Sequence, residues 1–289
     1  MTDIANTNDT IDARALIQET VADFLVKPLE AKSVVLNAAP RIFRSSEPLR
    51  IPKIVTGPAA NWVGEGQKIP ETAAEFGELL LMPTDRASVK TLTPVTNELI
   101  RSAKHGIAQV LQERIVTEQA NTIDTALLKG DGTGDEVNGY QPTGILNQEG
   151  VQTATLDTAD PDTLLDALAL AAAAEATPNR WFMSGADFFA LRKIKDGDGR
   201  YIMQGDGGIA GGVEFKLFDV PVTVTNKLDA GEAILADMNQ VAVVRDADPA
   251  VKILDQFYGD TDRIGIRCVT RMDIGLLNPE AVVVFKPGE

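Results

Sequence analysis

The most constraining feature of the sequence is a long helical pattern in its middle third. From Thr96 onward, apolar residues recur at three- and four-residue steps until the pattern ends at Lys129-Gly130. Thr96 is the predicted N-cap, and Glu98 lies in the first turn, where the helix dipole favours a carboxylate. The helix would have about 33 residues and be roughly 50 Å long at ~1.5 Å per residue, whereas globular helices average ~11–12 residues. Such a helix in a chain of 289 residues predicts an elongated subunit.

The region before this helix predicts a protruding hairpin. A strand-like run from Ile51 to Val55 and an alternating run from Ala87 to Leu92 flank a stretch rich in glycine and proline. That stretch carries the charges of the expected tip, which are Glu65, Lys68, Glu71, Glu75 and Glu78. The alternative interpretation is a surface hairpin on a compact domain. About 35 residues with few large apolar side chains are long for such a hairpin.

The N-terminal 45 residues have the pattern of an arm. Apolar residues at helical spacing predict an amphipathic helix from Ile11 to Val26, and Pro28 ends it. A loosely patterned strand follows. Because an isolated helix and strand need another surface to bury their apolar faces, we expect this segment to contact something outside the subunit body.

From Asp160 to the C-terminus, short helices alternate with short strands. Asp160 begins an alanine-rich helix that ends near Ala174, and Ser184 with Asp187 begins a second helix. Strands are predicted at 180–183, 220–224, 233–236, 241–244, 251–253, 263–270 and 281–285. This mixture of short elements predicts an α+β body.

The charge balance limits the partners of the chain. There are 27 Lys and Arg residues against 42 Asp and Glu residues, which gives a formal net charge of −15. An acidic surface repels phosphate, and this disfavours a protein that reads or tracks nucleic acid. The charge is compatible with a container for DNA, because a wall that bound DNA tightly would hinder packing.

Residues that usually carry chemistry are scarce. The single cysteine, Cys268, lies among apolar strand residues and is interpreted as a buried thiol rather than a nucleophile. The single histidine, His105, lies in the helical pattern, and no His/Cys cluster in the sequence would hold zinc. No catalytic triad can be built around one histidine, and no apolar run is long enough to span a bilayer. We therefore expect no enzyme, no cofactor and no membrane span.

An alternative interpretation of two glycine-rich loops is that they are binding sites. The loop from Gly130 to Asp135 ends a helix, so its backbone amides point the wrong way to hold a phosphate. The run Asp196-Gly197-Asp198-Gly199 is like the start of a calcium loop, to which Asp206 would add an oxygen. The glutamate that closes an EF-hand does not follow it. Both loops are interpreted as turns, and no metal site is predicted.

Short motifs follow one another in a fixed order along residues 50–285. They are Trp62-Val63-Gly64-Glu65-Gly66, Lys68, Pro70-Glu71, Val89-Lys90-Thr91-Leu92, Leu127 to Gly134, Gly144-Ile145-Leu146, Lys195-Asp196, Gly199 to Ile202, Val220-Pro221-Val222 and Asn278 to Ala281. Their order resembles the major capsid proteins of tailed double-stranded DNA phages, whose Hong Kong 97 type fold is shared with encapsulin shells.

The resemblance implies a division of the chain into four parts. These are an N-arm at 1–45, an extended E-loop at 46–92, a peripheral domain at 93–150 and 239–271, and an axial domain at 151–238 and 272–289. The N-arm and E-loop would reach neighbouring subunits, the long helix would be the spine of the peripheral domain, and the axial domain would cluster at five- and six-fold axes.

The function that the resemblance implies is structural. Copies of the chain would assemble as hexamers and pentamers into an icosahedral shell that encloses dsDNA without sequence-specific binding. The shell would be part of the virion and would assemble in the host cytoplasm. A portal, a decoration protein and a scaffolding protein would be its partners. Because the arm begins almost at Met1, the scaffold would be a separate chain or a segment that has been removed. An encapsulin-like compartment with a cargo enzyme, or an unrelated enzyme or metal-binding module, is the alternative.

The resemblance also points to residues that contact a neighbouring subunit, which are Glu65, Lys68 and Glu71. Some family members join subunits through a lysine–asparagine isopeptide bond that a glutamate in an apolar pocket assists. Here Lys68 lies near the position of the lysine, Asp262 near that of the acceptor and Val269 at that of the glutamate. Without a base the amine stays protonated and unreactive, so we expect a shell without covalent crosslinks, in which Lys68 forms salt bridges.

A hinge is predicted directly after the long helix. Gly130, Gly132 and Gly134 lie at the start of the joint that extends to Gly150, and the subunit would bend there between pentamer and hexamer positions.

Overall fold

The computed structural model describes most of the chain. The described residues are 29, 32–56, 60–68, 70–72, 75–83, 88–96, 98, 107–135, 139–195, 198, 201, 215–246, 250–258 and 261–287. The predicted N-terminal helix and His105 lie outside them, as do Asp206 and most of the run 196–199.

Helices and strands are mixed along the chain, which confirms the predicted α+β class. The helices are α1 (Val34–Asn37), α2 (Ile107–Lys129), α3 (Asp162–Ala173) and α4 (Gly185–Arg192). The strands are β1 (Arg41–Arg44), β2 (Leu49–Thr56), β3 (Glu75–Leu81), β4 (Val89–Thr96), β5 (Gly134–Asp135), β6 (Gly139–Tyr140), β7 (Gln152–Thr155), β8 (Arg180–Met183), β9 (Lys216–Leu217), β10 (Val220–Val224), β11 (Ala233–Ala236), β12 (Val241–Arg245), β13 (Ala250–Tyr258), β14 (Arg263–Thr270), β15 (Met272–Leu276) and β16 (Val282–Lys286).

The largest sheet has six strands in the order β7-β16-β11-β8-β10-β9. Its central strands β8, β11 and β16 are nearly continuous apolar runs, because both faces of the sheet are covered. On one face, Trp181 and Phe285 pack against α3 and α4, with their ring centroids 5.9 Å apart. The N-cap of α4 is as predicted, since the Ser184 hydroxyl accepts the Asp187 N–H.

The other face of this sheet belongs to the same core as α2. Phe182, Ile234 and Val284 from the sheet share one buried cluster with Leu127 and Leu128 at the end of the helix. The six-stranded sheet is therefore packed directly on the helix and is not joined to it by a loop alone.

Two three-stranded sheets complete the body. One has the order β1-β12-β15, and the other has the order β13-β14-β4. In the second sheet Ile266 and Cys268 of β14 face the core shared with α2. β15 pairs with β12 and lies outside the six-stranded sheet. The C-terminal part of any axial domain built on that sheet would therefore begin after Leu276.

The predicted hairpin is present, but its second strand differs from the prediction. β2 pairs with β3, so Glu75 and Glu78 belong to a strand and not to the tip. The run from Val89 forms β4, which pairs along its whole length with β14. Period-two alternation identifies a strand but not its partner, which explains the error.

The long helix is described from Ile107 to Lys129, which is 23 residues. Its predicted beginning is not described apart from Glu98, which is helical, and Thr96, which ends β4. Gly130 follows the last helical residue as predicted. Its backbone is not left-handed, and glycine is required there for space: an added Cβ would lie 2.1 Å from the Pro142 carbonyl oxygen.

Part of the predicted N-arm lies within the core of its own subunit. Leu29, Val35 and Leu36 are buried against α2, and β1 pairs in parallel with β12. An arm that leaves this subunit would therefore have to be formed by residues before Leu29.

Candidate assembly surface

The tip of the hairpin is fully exposed. Glu65, Lys68 and Glu71 are all exposed, and none of the ion pairs among the described residues includes them. A turn closed by the Gln67 N–H and the Gly64 carbonyl, 3.1 Å apart, presents Glu65. Trp62 is 105% exposed, which is unusual for a tryptophan and indicates a surface that another molecule covers.

The strands of the hairpin have one buried and one exposed face. Leu79 and Leu81 pack on β15, where an added Cβ at Gly275 would lie 2.7 Å from Leu81. On the opposite face Phe76 is 75% exposed and Leu80 is 49% exposed. Side chains of this size in one exposed row are typical of a contact with a partner.

The predicted hinge residues lie in a loop that is fixed by hydrogen bonds. The Gly144 N–H donates to the Gly130 carbonyl at 2.7 Å, and the Asn147 amide donates to the same carbonyl at 3.2 Å. Gly132 adopts a left-handed φ of 71°, and Gly134 begins the short strand β5. Bending at this loop would have to break these bonds or carry them along, and the hinge stays a prediction.

An ion cluster joins the end of α2 to the turn before β11. The Lys129 ammonium group pairs with Asp229 and lies 3.0 Å from the Glu232 carboxylate. Burial by itself would lower the pKa of Lys129, but hydrogen bonds and charge from these two carboxylates outweigh it and raise the pKa above its usual value.

We predict that the stability contributed by this cluster is lost at alkaline pH. Because the pKa of folded Lys129 is raised, the stabilisation is complete below the unfolded pKa of ~10.4 and is lost as pH rises through the folded pKa. Lys129→Met should lower the free energy of unfolding at neutral pH by about 0.5–1 kcal/mol and flatten this dependence. Urea titrations between neutral and alkaline pH measure both effects, with the exposed Lys193→Met as the control. An unchanged alkaline slope in Lys129→Met would contradict the assignment.

A buried carboxylate that the sequence did not reveal attaches the N-terminal segment to α2. Asp124 is 1% exposed, and its oxygens accept the Ser33 hydroxyl at 2.5 Å and the backbone N–H groups of Val34 and Val35 at 2.8 and 3.2 Å. Burial raises the pKa of Asp124, and the three hydrogen bonds oppose that rise. Asp124 thus caps α1 from a helix about ninety residues later in the chain.

The predicted burial of Cys268 is confirmed. Its thiol donates to the Gln119 side-chain oxygen at 3.2 Å, and the Thr270 hydroxyl donates to the same oxygen at 3.2 Å. Burial raises the pKa of the thiol. A protonated and enclosed thiol is a packing group and a poor nucleophile.

At the positions that correspond to the crosslinking residues, no carboxylate takes the place of the assisting glutamate. Val269 is half-buried and lies opposite Lys90 of β4, and Asp262 is exposed in the turn before β14. Within the described part of the chain, no three His, Cys, Asp or Glu residues are grouped so that they could hold a metal ion. No described helix combines the length and apolarity needed to cross a membrane.

Comparison with known proteins gives one consistent family. The phage capsid family matches residues 13–286. The chain is 25% identical to the major capsid protein of Klebsiella oxytoca phage phiKO2, over 93% of this chain and 67% of that protein. It is 26% identical to the capsid polyprotein of Pseudomonas phage PAJU2, over 79% of this chain but 34% of that polyprotein.

Solved structures share the fold. The capsid of a native GTA particle has a TM-score of 0.69 at 17% identity, covering 88% of this chain and 90% of that one. The protein of Mycobacterium phage Bobi has a TM-score of 0.69 at 20% identity, covering 89% and 91%. The predicted phage capsid fold is confirmed, and with a family match over nearly its whole length, this chain belongs to the phage capsid family.

Proposed function

We propose that this chain is the major capsid subunit of a phage and that its copies assemble as hexamers and pentamers into the closed shell around packaged dsDNA. The observation that carries the proposal is the family match across residues 13–286. The family and the relatives favour a phage capsid over an encapsulin-like compartment. The role is structural, without catalysis, and assembly occurs in the host cytoplasm with a separate scaffolding protein, a portal and a decoration protein as partners.

The exposed hairpin supports an obligate contact between copies. Phe76 and Leu80 are exposed on the two-stranded hairpin, and Trp62 is exposed in the segment that joins its two strands. Burying such side chains against another copy contributes ~1.5–3 kcal/mol for each large apolar group. Interfaces of obligate oligomers commonly exceed about 2,000 Å², a size that favours a projecting ribbon over the body alone.

Changing the exposed face of the hairpin tests this proposal. We expect Phe76→Ser with Leu80→Ser to leave the melting temperature of the unassembled subunit within about 2 °C of wild type, because both side chains are exposed. The yield of shells in a sucrose gradient should fall at least about tenfold. Leu165→Ser with Leu170→Ser, on the exposed side of α3, is the matched control. Normal shell yield from the hairpin variant would contradict the proposal.

The subunits are proposed to be held together without covalent bonds. Lys68 is an exposed amine that takes part in none of the ion pairs among the described residues, and Val269 offers no carboxylate. Lys68, Glu65 and Glu71 would instead form salt bridges to a neighbour. We expect mature particles boiled in denaturant to run as a single band of subunit size. A ladder of multimers on that gel would show that crosslinking occurs.

A further inference from the structure

One face of β15 binds the root of the hairpin, where the chain leaves β3 and returns to the body. The side chains around β15 that belong to the core shared with α2 are Met272, Ile274 and Leu276. Successive side chains of a strand face opposite ways, so Arg271, Asp273 and Gly275 lie on the other side. We call these three residues the root-binding face of β15.

The glycine of this face lets the hairpin lie directly on the backbone of β15. An added Cβ at Gly275 would lie 2.7 Å from the Leu81 side chain and 3.0 Å from the Leu79 side chain. Both leucines belong to the small core cluster on this side of the sheet. A larger residue at this position would therefore push β3 away from the body.

The two charged residues of the face bind the backbone that follows β3. Asp273 is 1% exposed, and its carboxylate accepts the Met82 N–H at 2.8 Å. The Arg271 guanidinium donates to the Pro83 carbonyl at 2.8 Å. Hydrogen bonds to ionised groups are stronger than those between neutral groups, so this short stretch of backbone is held from both sides of one peptide unit.

The bound stretch has a backbone conformation that it would not adopt alone. Met82 has a left-handed φ of 56°, which is uncommon for a residue with a side chain. The following residue is Pro83, and a residue before proline normally has an extended backbone. Such a conformation persists only where the surroundings fix it, and here Met82 is buried and bonded to Asp273.

The entry into the hairpin is not held in this way. Ser46, Glu47 and Pro48 are exposed. The Ser45 hydroxyl donates to the Glu47 carbonyl at 2.8 Å and accepts the Glu47 N–H at 3.3 Å, so its bonds stay within the turn. The direction of the hairpin is therefore determined at its exit, on the root-binding face.

We propose that Arg271, Asp273 and Gly275 are positioning residues for assembly, which fix the direction of the hairpin in the subunit before it meets another copy. This rests on the proposed function and adds how the hairpin is held ready for its contact. Fixing a binding element in its bound conformation strengthens association, because less conformational entropy is lost on binding.

The direction of the hairpin can be measured in the unassembled subunit. Spin labels at Glu78→Cys on β3 and Lys193→Cys after α4 occupy exposed positions, whereas Cys268 is fully buried. We expect one narrow distance distribution when the root-binding face is intact. Arg271→Met removes the donor to the Pro83 carbonyl, and it should broaden the distribution about twofold as other directions become populated.

Assembly of the unlabelled subunits tests the consequence. In Arg271→Met only a fraction of subunits has the hairpin in the right direction, so the lowest concentration that gives shells should rise at least about threefold. Gly275→Ala should act in the same direction. Arg271→Lys keeps an N–H donor for the Pro83 carbonyl and should recover most of the loss.

A buried substitution away from β15 separates positioning from stability. Leu164→Val in α3 leaves a small cavity in the other core cluster and should lower the melting temperature by about 2–4 °C. Arg271→Met should lower it by a similar amount, since one charged hydrogen bond is lost. Only Arg271→Met should change the label distances and the concentration needed for shells.

The possible results separate this proposal from the proposed function. A broad distribution in the subunit with Arg271, a distribution that stays narrow in Arg271→Met, or unchanged assembly of that variant would overturn the positioning role. An equal effect of Leu164→Val on assembly would overturn it in favour of general stability. Absence of shells from wild type would instead count against the capsid function.

Discussion

Replacing Asp124 with alanine is expected to lower the free energy of unfolding by about 3–4 kcal/mol. The change removes the acceptor of three hydrogen bonds and leaves the Ser33 hydroxyl and the N–H groups of Val34 and Val35 without partners in a buried site. A buried donor without a partner costs about 1–3 kcal/mol, and removing one member of a buried charged network costs about 3–5 kcal/mol. Chemical denaturation of the unassembled subunit measures the loss.

Two further substitutions show whether the carboxylate itself is responsible. Asp124→Asn keeps one acceptor oxygen and almost the same volume, so its loss of stability should be intermediate. Asp166→Ala removes an exposed carboxylate and should change stability by less than about 0.5 kcal/mol. A loss below about 1 kcal/mol for Asp124→Ala would show that the N-terminal segment does not depend on this cap.

Gly130→Ala is expected to destabilise the subunit by about 3 kcal/mol. The new methyl group would lie 2.1 Å from the Pro142 carbonyl oxygen and 2.5 Å from the Ala126 carbonyl oxygen. Both neighbours are backbone atoms. The Ala126 carbonyl accepts the Gly130 N–H at 2.9 Å, and the Gly144 N–H, two residues after Pro142, donates to the Gly130 carbonyl at 2.7 Å. Overpacking against groups that cannot move costs about 1–3 kcal/mol and occasionally more. A shift of the thermal unfolding midpoint reports the loss.

A glycine in the hairpin tip provides the comparison for Gly130. At Gly64 the nearest atom to an added Cβ is the Gln67 side chain at 3.8 Å, so Gly64→Ala should be nearly neutral for subunit stability. A Gly130→Ala subunit that melts within about 1 °C of wild type would mean that the loop can adjust its position. That result would favour the hinge interpretation over a fixed joint.

Local patterns predicted many elements because their causes lie within a few residues of each other. The predicted strand 263–270 agrees with β14 at both ends. Its side chains alternate between the core and the outside, and its ends are marked by a turn and by Arg271. The predicted capping by Ser184 likewise depends only on Asp187, three residues later.

Pairings between distant segments could not be predicted from such patterns. The alternation of Val89 to Thr96 is satisfied by any neighbouring strand, and only the fold determines that β14 is the partner rather than β2. The contact of Asp124 with Ser33 spans 91 residues, and Asp124 in the sequence is one acidic residue in a polar stretch of helix. The burial of Leu29, Val35 and Leu36 depends on α2 in the same way, and no local pattern indicates that this part of the expected arm packs within its own subunit.

The candidate assembly surface was likewise only partly predictable from local sequence patterns. The exposure of the charged residues Glu65, Lys68 and Glu71 was predictable, because they lie in a segment rich in glycine and proline, where exposed turns are expected. The exposure of Phe76 and Leu80 was not visible, since their row is interleaved with Leu79 and Leu81, which are packed against the body. Which face of a strand is covered depends on the partner sheet, and this is a property of the whole fold.

The most direct test of the capsid function is electron microscopy of particles made by the wild-type chain. The capsid function predicts closed icosahedral shells in which each subunit density fits α2, the six-stranded sheet and the hairpin. In the phage these shells should contain DNA. A uniform population of small oligomers that catalyses a reaction and never closes into shells would contradict it.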